Sequence, residues 1–182
     1  LYKVNQARGQ VYHKDNAALE RYLVEAGTAG RLLETPGGAR GGQELSALVE
    51  HALRLRALMG FVPRRYDPAV IETMALAGAL DQDLTREQRE AAMQRSADWI
   101  GRGDPEARWS GIVLEDGSVR LERLWRGVTD AFPIEALFLV SAEARKLSKL
   151  AGENADVYAG AAQLVRASAD RETAETEPVT TQ

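Results

Sequence analysis

The sequence lacks cysteine altogether and is poor in residues that commonly bind metals. With no cysteine among 182 residues, disulfides and cysteine-ligated metals or clusters are excluded. Histidine occurs twice, as His13 and His51, and neither has a partner at the spacing of a metal site. We expect His13 to be a polar residue at a strand end and His51 to lie on the flank of a helix.

Long apolar runs and an excess of positive charge are also absent. The longest candidate run, residues 134–140, is far shorter than the roughly 18 apolar residues of a membrane-spanning helix, and it contains Glu135. A net charge of −4 lacks the basic excess of a free-standing nucleic-acid-binding protein. The sequence begins without Met in a strand-like run and shows no signal-peptide pattern, so we expect a segment of a longer protein.

What is present is typical of a globular protein. Hydrophobic residues make up 45% of the chain and charged residues 27%, and the length suits one domain or two small lobes. The first part predicts strands at residues 1–5 and 10–13, a tight turn at Arg8-Gly9, a helix capped by Asp15 and a short strand at residues 31–34. The glycine-rich segment 35–42 (TPGGARGG) is predicted to be a flexible linker.

Three helices are predicted next, at about residues 43–59, 68–78 and 85–101. Asp67 and Pro68 place an N-cap before a proline in the first helical position, and Thr85 with Gln88 forms a capping box. Each helix repeats apolar residues at intervals of three and four, which predicts one buried face. These are Leu45, Leu48, Val49, Ala52 and Leu55, then Val70, Ile71 and Met74, then Met93, Ala97 and Ile100.

A β-hairpin is predicted at residues 109–125, because Asp116-Gly117 is a preferred pair for a two-residue type I′ turn. That loop would pair Glu115 with Ser118, Leu114 with Val119 and Ile112 with Leu121, and would give the sheet one apolar face. Phe132-Pro133 is expected to break the chain, and residues 134–140 fit a strand or a helix equally well.

The last part of the chain predicts one more helix and one more strand. Ser141 is expected to cap a helix that ends near Gly152, with Ala144, Leu147 and Ala151 on its apolar side. Residues 163–166 predict a last strand, and the acidic residues 169–182 predict a solvated linker or tail.

No convergent set of catalytic residues is found. Asp81-Gln82-Asp83 fits either a magnesium-binding pair or acidic residues that gain from the start of the following helix. The second interpretation is favoured, because no third carboxylate follows at a useful spacing. The serines lack the context of a nucleophile elbow, and residues 37–42 lack the Gly-Lys-Ser/Thr ending of a phosphate-binding loop.

A basic stretch is the main candidate for a contact surface. Arg40, Arg54, Arg56, Arg64 and Arg65 are opposed in that stretch only by Glu44 and Glu50. Two interpretations are open: the arginines reach phosphate or an acidic partner surface, or they form an ordinary solvated face with Tyr66 packed beneath it. The second is favoured by the residues alone. Trp109 and Trp125 are expected to pack within the hairpin.

Beyond this chemistry, the sequence resembles the DNA gyrase B family. Within the first 25 residues the resemblance is carried by Leu1-Tyr2-Lys3-Val4, a glycine turn, Val11-Tyr12-His13-Lys14-Asp15, Leu19, Tyr22 and Leu23. Further on, the order of features resembles the insert that interrupts the Toprim domain in the Gram-negative branch. Those features are Leu45 to Val49, Arg64-Arg65-Tyr66 with Pro68, the hairpin with Arg120 and Arg126, Phe132-Pro133 and the Ser141 helix.

The resemblance implies an α+β fragment of an interrupted Toprim domain. It implies a Toprim edge at residues 1–26, an insert at 27–168 with a helical lobe at 43–103 and a hairpin-helix lobe at 107–167, and the tail at 169–182. In the family, the ATP site, the magnesium-binding carboxylates and the DNA-cleaving tyrosine lie elsewhere. No catalytic residue, metal ligand or cofactor is therefore carried over to this chain, although the parent enzyme uses ATP and Mg²⁺.

The implied function is structural support of the DNA-gate region in an ATP-dependent supercoiling topoisomerase of the cytoplasm. The implied partners are the gyrase A subunit, the rest of the gyrase B polypeptide and, through the parent complex, DNA, with no membrane. Arg54, Arg56, Arg64 and Arg65 are the candidate DNA or partner contacts. The main alternative is an independent protein-interaction module, and a third is a magnesium-dependent phosphotransfer enzyme that uses Asp81 and Asp83.

Overall fold

The computed structural model describes residues 2–6, 9–158 and 160–167, which form a mixed α+β protein with antiparallel sheets. Its strands are β1 Tyr2–Gln6, β2 Gly9–His13, β3 Arg31–Thr35, β4 Gly38–Gly41, β5 Arg108–Val113, β6 Val119–Trp125, β7 Val128–Ile134 and β8 Gln163–Arg166. Its helices are α1 Asn16–Thr28, α2 Gly42–Met59, α3 Pro68–Leu76, α4 Arg86–Arg102, α5 Ala136–Leu139, α6 Ala142–Gly152 and α7 Ala155–Tyr158. In these ranges no helix is long and apolar enough to cross a membrane.

The chain forms two compact units, Leu1–Glu50 with Gly160–Gln182, and His51–Ala159. It passes from the first to the second within α2. The predicted limits at residues 26 and 168 concern a longer parent domain, and they stay a prediction. Leu1, Arg8 of the predicted first turn and the predicted tail at 169–182 lie outside the described residues.

The first unit contains two small sheets, β1-β2 and β4-β3-β8. The predicted cap of α1 is confirmed, since the Asp15 carboxylate accepts a hydrogen bond from the backbone N–H of Ala18 at 2.8 Å. The predicted strands at 31–34 and 163–166 are also confirmed, and they pair with each other through Leu32 and Val165. Buried apolar side chains in this unit are Val24, Leu32, Leu45 and Leu48.

The predicted linker at residues 35–42 was wrong. Residues 38–41 form strand β4, which pairs with β3 from Leu32–Gly41 to Thr35–Gly38. The hydroxyl of Thr35 donates to the carbonyl of Gly38 at 2.8 Å and closes the turn, where Gly38 has a φ of +125°. A Cβ at Gly41 would overlap the side chain of Leu32, so this glycine makes room for a core residue. Glycine here permits a tight hairpin rather than a loose linker.

The second unit is built on one continuous apolar core. The predicted faces of the later helices are confirmed, because Val70, Ile71, Met74, Met93 and Ala97 are all buried. The core is completed by Leu55, Tyr66, Ala75, Ala79, Leu80, Ala92, Val119, Leu121, Ile134, Phe138, Leu139, Ala144, Leu147 and Ala151. One predicted position differs in α2, since Ala52 is exposed.

Local capping signals fix where the helices of this unit begin. The Asp67 carboxylate accepts from the backbone N–H groups of Ala69 and Val70, at 2.8 and 3.2 Å. Thr85 and Gln88 form the reciprocal capping box, and the Ser141 hydroxyl accepts from the N–H of Ala144 at 3.1 Å. All three predicted caps are confirmed, because each depends on residues within three positions of one another.

The predicted hairpin exists, but its predicted register was wrong by one residue. The observed partners are Val113 with Val119 and Gly111 with Leu121. The N–H of Gly117 donates to the carbonyl of Leu114 at 3.2 Å, and Gly117 has a φ of +82°. This is the three-residue loop in which a left-handed glycine follows a turn, rather than the two-residue loop we expected. One extra loop residue moves Val113 to the core face in place of Leu114.

A third strand was missed, because Phe132-Pro133 was expected to break the chain. Both residues lie in β7, which pairs with β6 from Trp125–Val128 to Val119–Ile134. The turn residues Arg126 and Gly127 have φ angles of +50° and +83°, as in a two-residue type I′ turn. The pair that flanks such a turn, here Trp125 and Val128, is hydrogen-bonded. From there along the two strands, non-hydrogen-bonded and hydrogen-bonded pairs alternate. Pro133 opposes Arg120 in a non-bonded pair, where its missing N–H would face the free edge of the sheet. Of the ambiguous residues 134–140, Ile134 ends β7 and Ala136–Leu139 form the short helix α5.

The sheet of the second unit packs on α4 through a glycine. A Cβ at Gly111 would overlap the carbonyl oxygen of Met93 and lie 2.8 Å from its Cβ. Strand and helix backbones can approach this closely only where one of them has no side chain. Val119 and Leu121, on the neighbouring strand, are fully buried beside this contact.

At the other end of the sheet face that contacts α4, the carboxylate of Asp104 connects the end of α4 with β5 and β6. Asp104, which follows α4, accepts from Arg123 Nε at 2.6 Å and from the indole N–H of Trp109 at 3.1 Å. The ring of Trp109 stacks on Phe132 at 5.5 Å between centroids, so it packs as predicted. The hydrogen bond from Arg123 holds the pKa of Asp104 below its ordinary value.

We expect Gly111→Ala to lower the free energy of unfolding by about 3 kcal/mol or more, because the added methyl meets the helix backbone. Gly152→Ala is the matched control, since a Cβ at the last residue of α6 meets nothing within 4 Å. It should stabilise by up to about 1 kcal/mol through helix propensity. Urea unfolding of both variants measures this, and equal effects would contradict the close approach.

We expect Asp104→Asn to destabilise the chain at neutral pH, with a deficit that shrinks in acid. The pKa of Asp104 is lower in the folded chain, so its stabilisation is complete above the ordinary carboxyl range and is lost as pH falls through the lowered value. Urea unfolding between about pH 7 and pH 3 measures this. Asp83→Asn, which removes an exposed carboxylate, is the control, and a pH-independent deficit for Asp104→Asn would argue against the ion pair.

Candidate contact surface

The four predicted contact arginines are all exposed and occupy two elements of the second unit. Arg54 and Arg56 lie on α2, on either side of the buried Leu55, and Arg64 and Arg65 lie between α2 and α3. Two residues apart on a helix correspond to about 200° of rotation, so Arg54 and Arg56 point in nearly opposite directions. The structure therefore places Arg64 beside Arg65 but does not gather all four on one face.

Arg65 is the arginine of this group whose position is fixed by neighbours. Its Nη2 lies 2.9 Å from Oε2 of Glu135, and its Cζ lies 5.0 Å from the centre of the Tyr66 ring. Both partners of the ion pair are more than half exposed, so the pair adds little stability, and its main effect is to orient the two side chains. Arg54, Arg56 and Arg64 form no ion pair with any residue in the described ranges.

Tyr66 is packed beneath Arg65, as the interpretation of a solvated face with Tyr66 beneath it predicts. Its side chain is 5% exposed, and its ring lies 4.9 Å from that of Phe138, a core residue of α5. Its hydroxyl is buried and has no hydrogen-bond partner within the described part of the chain. An unpaired buried hydroxyl costs free energy, so Tyr66 contributes through its ring and not through its oxygen.

The Asp81–Asp83 pair is part of a turn. The carboxylate of Asp81 accepts from the backbone N–H of Asp83 at 3.1 Å, and the carbonyl of Asp81 accepts from Arg89 at 3.0 Å. Across the residues that the structure describes, no group of three histidine, aspartate or glutamate side chains is arranged to hold a metal ion. The carboxylate of Asp81 therefore stabilises this turn.

His51 is buried, so its predicted place on a helix flank was wrong. It is 1% exposed, and its Nε2 lies 2.7 Å from the carbonyl oxygen of Leu150, to which it must donate. Nδ1 lies 3.4 Å from the hydroxyl of Tyr158, whose pKa is raised by burial and by the charge of Glu72. Because Nε2 donates to a carbonyl oxygen, Nδ1 is the ring nitrogen left to accept from the Tyr158 hydroxyl. His13 lies at the end of β2 as predicted, with its ring 4.7 Å from that of Tyr22.

A cleft of about 530 Å³ opens between α3, α4, α6 and α7, and two of the charged side chains in its walls are bonded within the unit. Arg95 donates to the carbonyl of Ala77 at 3.1 Å, and Asp98 accepts from Gln94 at 2.8 Å. Trp99 forms part of the wall. These groups support the walls of the cleft and do not form a nucleophile, acid and base that converge on one point.

Comparison with known proteins shows which proteins the chain is similar to. The DNA gyrase B protein of Caulobacter vibrioides is 31% identical over 163 residues, which cover 89% of this chain and 20% of that protein. This chain is related in sequence to DNA gyrase B. The gyrase B protein of Myxococcus xanthus is 26% identical over 68% of the chain, and that of Rickettsia felis is 21% identical over 87%. No protein-family model matches the chain.

The predicted resemblance is therefore confirmed at the level of gyrase B. The chain spans about a fifth of the length of the Caulobacter vibrioides protein, since the matched residues cover 20% of it. In this gyrase B-related chain, sequence reasoning missed the partners that are distant in sequence. Glu135 lies 70 residues after Arg65, and Leu150 lies 99 residues after His51. The arginine-rich stretch pointed to Arg65, one member of the first pair. Nothing in the sequence pointed to the contact between His51 and Leu150.

We expect Tyr66→Phe to leave the free energy of unfolding unchanged or to raise it by up to about 1 kcal/mol, since it removes a buried hydroxyl without a described partner. Tyr158→Phe is the matched control. It removes the hydrogen bond to His51 and should cost about 1 kcal/mol. Thermal and urea unfolding measure both, and a larger loss for Tyr66→Phe than for Tyr158→Phe would contradict this account of Tyr66.

Proposed function

We propose that this chain belongs to an insert that interrupts the Toprim domain of DNA gyrase B, where it supports the DNA-gate region and performs no catalysis itself. The observation that carries the proposal is the 31% identity to a gyrase B protein over 89% of the chain. In this proposal residues 1–26 are an edge of the Toprim domain, residues 27–168 are the insert and residues 169–182 connect back to the Toprim domain.

The parent would be an ATP-dependent type II topoisomerase that supercoils DNA in the cytoplasm. ATP and Mg²⁺ would bind in other parts of that enzyme. Its partners would be the gyrase A subunit, the remainder of the gyrase B polypeptide and DNA. An insert without reactive groups contributes to such an enzyme by holding neighbouring surfaces in the productive arrangement, because small displacements of a reacting site cost large factors in rate.

The structure offers a physical basis for such support. His51–Ala159 is a compact unit with its own apolar core, so it can transmit force as a rigid body. Arg54, Arg56 and Arg64 are exposed, and Arg65 is held by Glu135. Charged groups at the rim of an interface affect the rate and specificity of docking more than its affinity. We assign these four arginines to such rim contacts with DNA or a partner.

We expect excision of residues 51–159 from the parent polypeptide, with a flexible Gly/Ser linker in their place, to lower supercoiling by the reconstituted enzyme about tenfold or more. This excision keeps strands β3, β4 and β8 of the first unit. Intact chain 1–182, tested alone, should bind no DNA and hydrolyse no ATP. Gel assays of supercoiling and salt-dependent DNA binding measure these outcomes.

Two outcomes would contradict the proposal. If supercoiling survives the excision, the chain does not have the supporting function. If the chain alone binds DNA in a salt-sensitive way, it is a DNA-binding module. A variant with glutamine at Arg54, Arg56, Arg64 and Arg65 separates rim contacts from rigid support. Its matched control carries glutamine at four exposed arginines elsewhere, namely Arg21, Arg86, Arg108 and Arg126.

A further inference from the structure

The last helix of the second unit forms one wall of the cleft between α3, α4, α6 and α7. Ala155 and Asp156 of α7 line this cleft, and its other walls include Ala75 of α3 and Trp99 of α4. At about 530 Å³ the cleft has the size of a small-molecule site, and all of its lining residues belong to residues 51–159. The position of α7 therefore decides how far this space is open to solutes.

Helix α7 is a four-residue turn, joined to α6 by a short connection. Helix α6 ends at Gly152, where the N–H of Glu153 donates to the carbonyl of Leu150 at 3.2 Å, and α7 begins at Ala155. A Cβ at Gly152 would meet nothing within 4 Å, so no packing fixes the connection at this point. A helix this short is not stable by itself. Contacts of its side chains with the rest of the unit must hold α7 in place.

Those contacts are made by the side chains of the last three residues of α7. Val157 is buried, with 5% of its surface exposed, and the Tyr158 hydroxyl lies 3.4 Å from Nδ1 of His51. Asp156 also has a polar or charged partner, but it lies on the exposed surface, where such contacts contribute little stability. The bond from Tyr158 is therefore the polar contact that joins α7 to a buried group of the unit.

His51 is a fixed acceptor for this bond. Its ring is 1% exposed, and its Nε2 donates to the carbonyl of Leu150 at 2.7 Å, so α6 holds the imidazole in place. The 3.4 Å bond to Tyr158 is the longer and weaker of the two. When the weaker bond breaks, α7 is released while His51 and α6 keep their arrangement.

We propose that residues 153–158 form a flap over the cleft and that the hydrogen bond from Tyr158 to His51 is the latch that closes it. Release of the hydroxyl lets the flap move at the connection after Gly152, while α3, α4 and α6 stay packed around the core. The open form gives small solutes access to Ala75, which is 2% exposed in the closed form. Such a local opening needs much less free energy than unfolding of the whole unit. It goes beyond the proposed function, because flap and latch are properties of the chain alone.

Single thiols test the opening, because the chain has no cysteine of its own. Ala75→Cys places a thiol on the wall of the cleft, and Ala92→Cys places one in the core on α4, where Ala92 is 0% exposed. Their reaction with DTNB, an aromatic disulfide reagent, is followed at low urea concentrations. Unfolding exposes more surface than a local opening does and depends more steeply on urea. We expect the thiol at position 75 to react about tenfold faster or more, at a rate that hardly changes with urea.

Variants of the latch test its two partners. Tyr158→Phe should raise the reaction rate at position 75 about fivefold, the factor that corresponds to one hydrogen bond. Tyr66→Phe is the matched control and should leave the rate unchanged, because the Tyr66 hydroxyl has no partner within the described residues. His51→Gln keeps an N–H donor for Leu150 but places no acceptor at the position of Nδ1, so it should act like Tyr158→Phe. The double variant should react no faster than the faster single variant, since both changes break the same bond.

Hydrogen exchange at the Val157 amide, which donates to the carbonyl of Asn154 at 3.1 Å, reports movement of α7 itself. Tyr158→Phe should accelerate this exchange by the same factor as the thiol reaction.

Four outcomes would overturn the proposal. If the thiol at position 75 reacts as slowly as the one at position 92, with the same urea dependence, the cleft opens only on unfolding and there is no flap. If Tyr158→Phe leaves the rate unchanged or Tyr66→Phe raises it equally, the Tyr158 hydroxyl is not the latch. If the effects of Tyr158→Phe and His51→Gln multiply, the two residues act independently. If the thiol reacts without matching exchange at Val157, a different wall moves.

Discussion

The second unit depends on one close approach between backbones, where β5 crosses α4 at Gly111 and Met93. No side chain fits between strand and helix at this point, so their separation is set by the backbones themselves. The buried side chains of β6, Val119 and Leu121, then fall at the depth where they meet the helices. A wider separation would leave cavities around these side chains, and protein cores tolerate such cavities poorly. The missing side chain of Gly111 therefore sets the distance between the sheet and α4, and the apolar core is arranged around this contact.

Features set by neighbours in sequence were predictable. The caps at Asp67, Thr85 and Ser141 require only a side chain and the backbone N–H groups two or three residues later, so the sequence displays both partners together. The amphipathic faces of α3 and α4 were predictable for the same reason. Even the presence of the hairpin followed from its turn residues, although Asp116-Gly117 suits both a two-residue and a three-residue loop. Which loop forms depends on the rest of the sheet.

Features that depend on contacts between residues distant in sequence were not predictable. Pro133 is compatible with a strand only because β7 is an edge, and Gly41 lies in a strand because Leu32 fills the space its side chain would occupy. His51 would lie on a helix flank if Leu150 and Tyr158, about 100 residues later, did not close over it at 2.7 and 3.4 Å. The candidate site divides in the same way. Exposure of the arginines follows from composition, whereas the pairing of Arg65 with Glu135 requires the fold.

The distribution of polar groups gives a physical basis for the supporting role that we propose for the chain. Inside the second unit, polar groups such as His51, Asp104 and Gln82 are bonded to other parts of the same unit and make its shape definite. On its surface, cationic side chains such as Arg64 and apolar ones such as Leu137 are left without such partners among the described residues. A supporting element requires internal bonds, because they make it stiff. It also requires free groups on its surface, because they recognise a partner.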